Sequence, residues 1–166
     1  MRIIIITFLA TCLSFSQGFL HNISGEVVDG NGEPILLRGF GLGGWLVPEG
    51  YMLHNQAWIS GFESPTDIEN HVENLIGPEA SEDFWILYRE NYVAQADIDQ
   101  IAEWGFNHIR VPFHYKQFYD STGTQIPIGY AIIDELISWC EPYNMYIILD
   151  MHCAPGAQNG GPISDS

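Results

Sequence analysis

The sequence predicts an α/β protein built on a parallel sheet, and three observations carry that expectation. The second half of the chain alternates helical and strand patterns: helix about 94–104, strand 108–112, helix about 130–140, strand 146–150. The second strand opens on the short apolar run Tyr146–Leu149, as expected of a strand covered on both faces. The stretch between them is long enough for a helical crossover, which makes successive strands parallel and the crossover right-handed.

The chain opens with Arg2, then the apolar run Ile3–Ala10 extending to Leu13, then Ser14-Phe15-Ser16. A basic start, a short apolar core and small residues at −3 and −1 predict a secretory signal peptide, residues 1–16, with residues 17–166 forming one domain. The run falls short of the ~20 residues of a membrane span. Leu9-Ala10-Thr11-Cys12 loosely resembles a lipoprotein cleavage box, but Thr11 stands where a small Gly or Ala is expected. The mature chain is therefore expected outside the cytoplasm, extracellular or periplasmic, without membrane insertion, a lipid anchor being the minor alternative. Asn22-Ile23-Ser24 is an acceptor motif for N-linked glycans, relevant only in a host that glycosylates.

Residues 23–28 alternate weakly, and Asp29-Gly30-Asn31-Gly32 is a strong turn signal before Glu33-Pro34-Ile35-Leu36-Leu37. Together they predict a β-hairpin whose second arm runs into a new strand. The segment Arg38-Gly-Phe-Gly-Leu-Gly-Gly-Trp-Leu-Val-Pro-Glu49 is glycine-rich. It lacks the lysine and the following helix of a phosphate loop, so its glycines are expected to admit close approach of backbone or ligand. Thr66-Asp-Ile-Glu69 predicts a capping box at a helix start, with Ile68, Val72, Leu75 and Ile76 at helical spacing and Gly77-Pro78 as the stop. A second helix is expected at about Glu82–Asn91. In the third, about Ala94–Trp104, Ile98 and Ile101 face inward; in the fourth, about Tyr130–Cys140, Ile132, Ile133, Leu136 and Ile137 share a face.

Composition narrows the partners. Five Lys and Arg stand against 21 Asp and Glu, a net charge of −16, which makes nucleic acid and anionic membrane poor partners. The chain is 13% aromatic with five Trp, which suits sugar stacking and a packed core equally. Cys140 and Cys153 are placed at opposite ends of the last strand. About six residues at ~3.3 Å each exceed the ~7 Å a disulfide spans, so both are expected to be free and buried.

Side chains alternate along a strand. His108, Arg110 and Pro112 share one face against Ile109, Val111 and Phe113, while Ile148, Asp150 and His152 share one against Ile147, Leu149 and Met151. The aliphatic faces await helices; the ionisable ones point into a barrel interior or cleft. An arginine within a strand needs a carboxylate partner, and Asp150 on the neighbouring strand supplies one. That pair is either structural or functional, and His152 is either a core histidine or part of a site. His152 and Cys153 have no spacing for zinc, and no Gly-x-Ser-x-Gly is present. Pro155, Gly156, Gly160, Gly161 and Pro162 force a loop after the strand.

Three segments, Leu37–Glu49, Trp104-Gly-Phe-Asn-His-Ile-Arg-Val-Pro112 and Leu149-Asp-Met-His-Cys-Ala-Pro-Gly-Ala-Gln-Asn-Gly160, resemble glycoside hydrolase family 5. They are most similar to its cellulase and exo-β-1,3-glucanase branches. The resemblance implies a (β/α)8 TIM barrel, incomplete here: an N-terminal hairpin and roughly the first three βα units. It also implies retaining hydrolysis of β-glucosidic bonds in a β-glucan polysaccharide or oligosaccharide, with no cofactor, no metal and a monomeric full-length protein. By position, Arg110 matches the arginine that supports the nucleophile and His152 the active-site histidine. Glu49 matches a sugar-contacting acid, with Trp45 and Asn159 as further substrate contacts. The acid/base and nucleophilic glutamates of the family follow its fourth and seventh strands, so both are expected beyond Ser166. A retaining site needs both, about 5–5.5 Å apart, and a barrel needs about 250 residues. The chain is accordingly expected to be the inactive amino-terminal portion of a larger enzyme, with open, aggregation-prone edges. Two other readings stay open: a non-catalytic carbohydrate-binding or scaffold protein on the same barrel, and a hydrolase of another β-glycan such as mannan.

Overall fold

The computed structural model describes residues 18–53, 63–157, 159 and 165. The expected leader, residues 1–16, lies outside them. The chain divides into two compact units, residues up to Leu36 and Leu37 onward.

The first unit is a hairpin, but not around the turn the sequence signals most strongly. β1 (His21–Ile23) pairs antiparallel with β2 (Glu26–Val28), Asn22 opposite Val27. Ser24 and Gly25 turn between them, both at positive φ (55° and 92°), as a two-residue hairpin turn requires. Asp29 does form the second turn, its Oδ1 accepting from the amides of Asn31 (2.8 Å) and Glu33 (3.0 Å). Among the described residues the arm beyond it is joined by the bridge of Val28 with Pro34 and by a bond from Ile35 N to Val27 O of 3.0 Å. Pro34 has no N–H to give a ladder, so the arm does not become a strand.

The second unit begins with β3 (Gly39–Gly41), followed by α1 (Gly50–Leu53), α2 (Pro65–Ile76), α3 (Pro78–Tyr92) and α4 (Gln95–Glu103). Then come β4 (His108–His114), α5 (Pro127–Cys140) and β5 (Tyr146–Cys153). The sheet order is β3-β4-β5, all parallel. Strands laid side by side in chain order, with helical crossovers between, make the wall of a barrel; a doubly wound sheet reverses its order.

Two starts differ from the sequence pattern for identifiable reasons. The cap of α2 is Ser64, not Thr66. Ser64 Oγ accepts from Asp67 N (3.2 Å), Asp67 Oδ2 accepts from Ser64 N (3.3 Å), and Pro65 occupies the first helical position. A proline there loses no hydrogen bond and presets φ, which draws the start two residues forward. Prolines 78 and 127 likewise extend α3 and α5 toward their N-termini.

Helices cover the aliphatic face. Ile109, Val111, Ile98 and Leu136 are all fully buried, packed with Trp45, Leu46, Ile101 and Ile133. At about 1.5–3 kcal/mol for each large aliphatic removed from water, this cluster is what holds the sheet to its helices. Ile137 is 46% exposed, so the apolar stripe of α5 ends one residue short of the expectation. Leu149 and Met151 are about half exposed as well. Cys140 and Cys153 are both buried and no disulfide joins them, and burial pushes the Cys140 thiol up to about 11. Among the described residues no helix is long and apolar enough to cross a membrane.

Candidate active site

The other face of the sheet carries the ionisable groups. Arg110 lies opposite Ile148 in the register and Pro112 opposite Asp150, so the arginine reaches diagonally up the neighbouring strand. Its Nη2 forms an ion pair with Asp150 Oδ2. His152 Nδ1 lies 3.1 Å from the same oxygen and 3.4 Å from Arg110 Nη2. A carboxylate accepts and a guanidinium donates, so in the close contact His152 keeps its proton on Nδ1 and donates it to Asp150. One carboxylate thus orients both a cation and an imidazole, the arrangement that fixes ring orientation and tautomer.

The strand is irregular where this matters. Phe113 pairs with Met151 and His114 with Cys153, leaving His152 as an extra residue in β5. Bulges recur at strand ends that carry sites, and across this one His152 stays on the Asp150 side that alternation gives it, 3.1 Å away.

Glu49 lies past the glycine-rich segment, whose chain continues along β4: Leu42 N bonds Arg110 O (2.8 Å), and His114 N bonds Leu46 O (3.3 Å). Only 4% of Glu49 is exposed, and it accepts a hydrogen bond from the Tyr51 hydroxyl at 3.1 Å. Burial raises the Tyr51 phenol, the Glu49 charge raises it further, and Arg110 opposes both. Tyr51 thus lies within electrostatic reach of both Glu49 and Arg110. Tyr51 has no signal in the sequence, since its link to Glu49 depends on a short helix that the sequence pattern does not show.

One expected contact falls elsewhere. Trp45 is 2% exposed in the core, its Nε1 donating to Arg89 O at 2.8 Å, so its indole serves the packing between sheet and helices. Asn159 is exposed in the loop beyond β5. A cavity of about 330 Å³ lined by Trp45, Arg89, Val93, Ile132 and Trp139 contains none of the Arg110 group. It belongs to the helix layer.

A second polar group borders the same strand ends. Asp165 Oδ2 accepts from Thr66 N at the start of α2 (2.7 Å) and lies 3.5 Å from Nε2 of buried His114. His114 Nδ1 accepts from Lys116 N (3.1 Å), so its proton sits on Nε2, toward the carboxylate. Burial lowers the His114 pKa, and Lys116 lowers it further. Burial raises that of Glu69, Lys116 and Arg89 partly offsetting this. The two groups give stability opposite slopes. Below the ordinary histidine value the unfolded chain takes up the proton that His114 refuses, so stability falls as pH falls. Above the ordinary 4.5 of a glutamate the fold retains a proton on Glu69 that the unfolded chain releases, so stability falls as pH rises through that window. Glu69→Gln is therefore expected to raise Tm at pH 7 and leave it unchanged at pH 4, read by calorimetry at both. An equal shift at both pH values would mean the charge on Glu69 is not the cause.

Residues 63–166 match the family model described as Cellulase (glycosyl hydrolase family 5). A β-xylosidase of Phanerodontia chrysosporium is 34% identical over 144 residues, covering 85% of this chain and 29% of the relative. Glucan 1,3-beta-glucosidase 1 of Schizosaccharomyces pombe is 31% identical over 155 residues, 91% of this chain and 37% of that protein. The crystal structure of rutinosidase from Aspergillus niger superposes with a TM-score of 0.60 at 26% identity, covering 74% of this chain and 34% of that one. The chain thus spans about a third of the length of the proteins it matches, and its three parallel strands form part of the TIM barrel of such enzymes. Family model, relatives and barrel wall agree: the chain belongs to glycosyl hydrolase family 5.

Proposed function

We propose that the whole protein is a secreted, monomeric hydrolase of β-glucosidic bonds in a β-glucan, acting with retention of configuration through two carboxylates. The observation that carries this reading is the Arg110–Asp150–His152 group beside Glu49 and Tyr51, at the carboxyl ends of parallel strands. In a (β/α)8 barrel that end is where chemistry is built. Endoglucanase C of Acetivibrio thermocellus, 41% identical over 69 residues, and the glucan 1,3-beta-glucosidases favour a glucan over other β-glycans.

Each residue then has a task. Arg110, held by Asp150, keeps a fixed positive charge where a carboxylate nucleophile must stay ionised. The Asp150 contact turns Nε2 of His152 toward the sugar. Glu49 offers its carboxylate to substrate hydroxyls, and Tyr51 orients that carboxylate. The two glutamates that cleave the bond are assigned to the part of the protein that lies beyond this chain, and Asn159 to the rim of the substrate groove. Residues 1–16 direct export.

A substrate panel tests the reading. The full-length enzyme is expected to show kcat/KM on β-1,3-glucan or cellulose at least about tenfold above that on xylan or mannan, a margin that pocket contacts can supply. NMR should detect the β-anomer as first product. A preference for mannan, or the α-anomer first, would overturn it. Asp150→Asn, which keeps shape and loses charge, is expected to lower kcat by about 10–100-fold by freeing Arg110 and His152, as loss of an orienting partner does.

A further inference from the structure

We propose that Asn22 carries an N-linked oligosaccharide that shields the edge strand of the hairpin. This rests on the export reading above and concerns a different unit from the sugar site.

The motif Asn22-Ile23-Ser24 is the one Asn-x-Ser/Thr in the 166 residues, and the fold presents it in full. Asn22 lies in β1 and Ser24 in the turn; all three residues are exposed. The Asn22 amide oxygen accepts from Gly25 N at 3.2 Å. That contact uses Oδ1, not Nδ2, so attaching sugar to the nitrogen keeps the bond that shapes the turn. Ser24 sits at φ 55°, where a β-branched residue is strained. Serine therefore satisfies the acceptor motif and the turn together.

The surroundings supply a reason for the sugar. β1 pairs only with β2 among the described residues, so its outer edge presents unpaired backbone groups. Phe19 is 87% exposed, Ile23 54% and Val27 40%. A short apolar edge of this kind invites pairing with another chain. A bulky, hydrated oligosaccharide on Asn22 blocks that approach.

In the transfer, Nδ2 attacks the anomeric carbon of a lipid-pyrophosphate-linked oligosaccharide. The N–C bond forms and the bond from that carbon to the pyrophosphate oxygen breaks. The lipid pyrophosphate leaves with the electron pair, and one amide proton is lost to base.

The test expresses the full-length protein in a eukaryotic host with the host's own leader in place of residues 1–16. Wild type, Asn22→Gln and Ser24→Ala are compared in total culture. Wild type is expected to migrate faster after treatment with a peptide amidase that removes N-glycans, with Asn22 converted to Asp by mass spectrometry. Both variants should run faster than untreated wild type. Wild type unmoved by the amidase overturns the site. Asn22→Gln should scatter more light than wild type at equal concentration; equal scattering overturns the shielding role. A parallel arm keeps residues 1–16. If that chain stays inside the cell while the first arm is modified, export fails and the Asn22 site stands.

Discussion

Replacing Arg110 by lysine in the full-length enzyme is expected to cut kcat by about 10²–10³, the cost of losing one preorganised electrostatic contact. Lysine keeps the positive charge, so the loss has to come from geometry. The guanidinium is a planar fork that can hold Asp150 and still face the site with its remaining N–H groups; an ammonium is a point charge on a flexible stem. Stability should change little. The Arg110 and Asp150 side chains are 43% and 31% exposed, and solvent-screened pairs contribute about 0–1 kcal/mol. Steady-state kinetics and calorimetry on the same preparation separate the two. An unchanged kcat would make Arg110 a strand ion pair and nothing more, while a large fall in Tm would move its role from the site to the fold.

The largest effect on stability is expected at Gly39. A methyl group built there overlaps the His108 carbonyl oxygen and lies 2.6 Å from His108 Nδ1. The backbone has no room to yield, because Arg38 N bonds Asn107 Oδ1 and Asn107 N bonds Arg38 O, both at 2.8 Å. Gly39→Ala should therefore break the β3–β4 pairing at a cost of about 3 kcal/mol or more, at or above the upper end for overpacking. Gly105→Ala is the control. Gly105 has φ +82° and open space around its missing Cβ, so alanine there pays only for backbone strain, about 1–2 kcal/mol. Urea unfolding of both variants reads the comparison, and equal midpoints would refute the close-approach argument.

Strand parity was the most legible part of the sequence. Alternation alone separates Ile109 and Val111, both fully buried, from Arg110 and its partner on the next strand. Helix existence was legible for the same reason, since periodic apolar residues pack where they point. Helix starts were less so. Thr66-Asp-Ile-Glu69 has the form of a capping box, yet Ser64 and Pro65 outcompete it because proline at the first helical position fixes where the helix begins. The hairpin went astray because a strong turn signal at residues 29–32 says nothing about whether the following arm has amides to give. Trp45 could not be assigned from type or count, as an indole serves a core and a sugar equally well; only its burial decides. The bulge at His152 has no local mark at all, because it is a property of how two strands count against each other.

The unequal joints of the sheet have a kinetic consequence. β5 meets β4 along seven register pairs, whereas β3 meets it along three. About twice as much chain separates β3 from β4 as separates β4 from β5, which adds about 0.6 kcal/mol of closure entropy. The β4–α5–β5 unit is thus expected to assemble first and β3 to join after the rate-limiting step. A lesion at Gly39 should then leave the folding arm of a chevron plot nearly unmoved and steepen the loss of the native state, so its damage would appear in how long the molecule lasts.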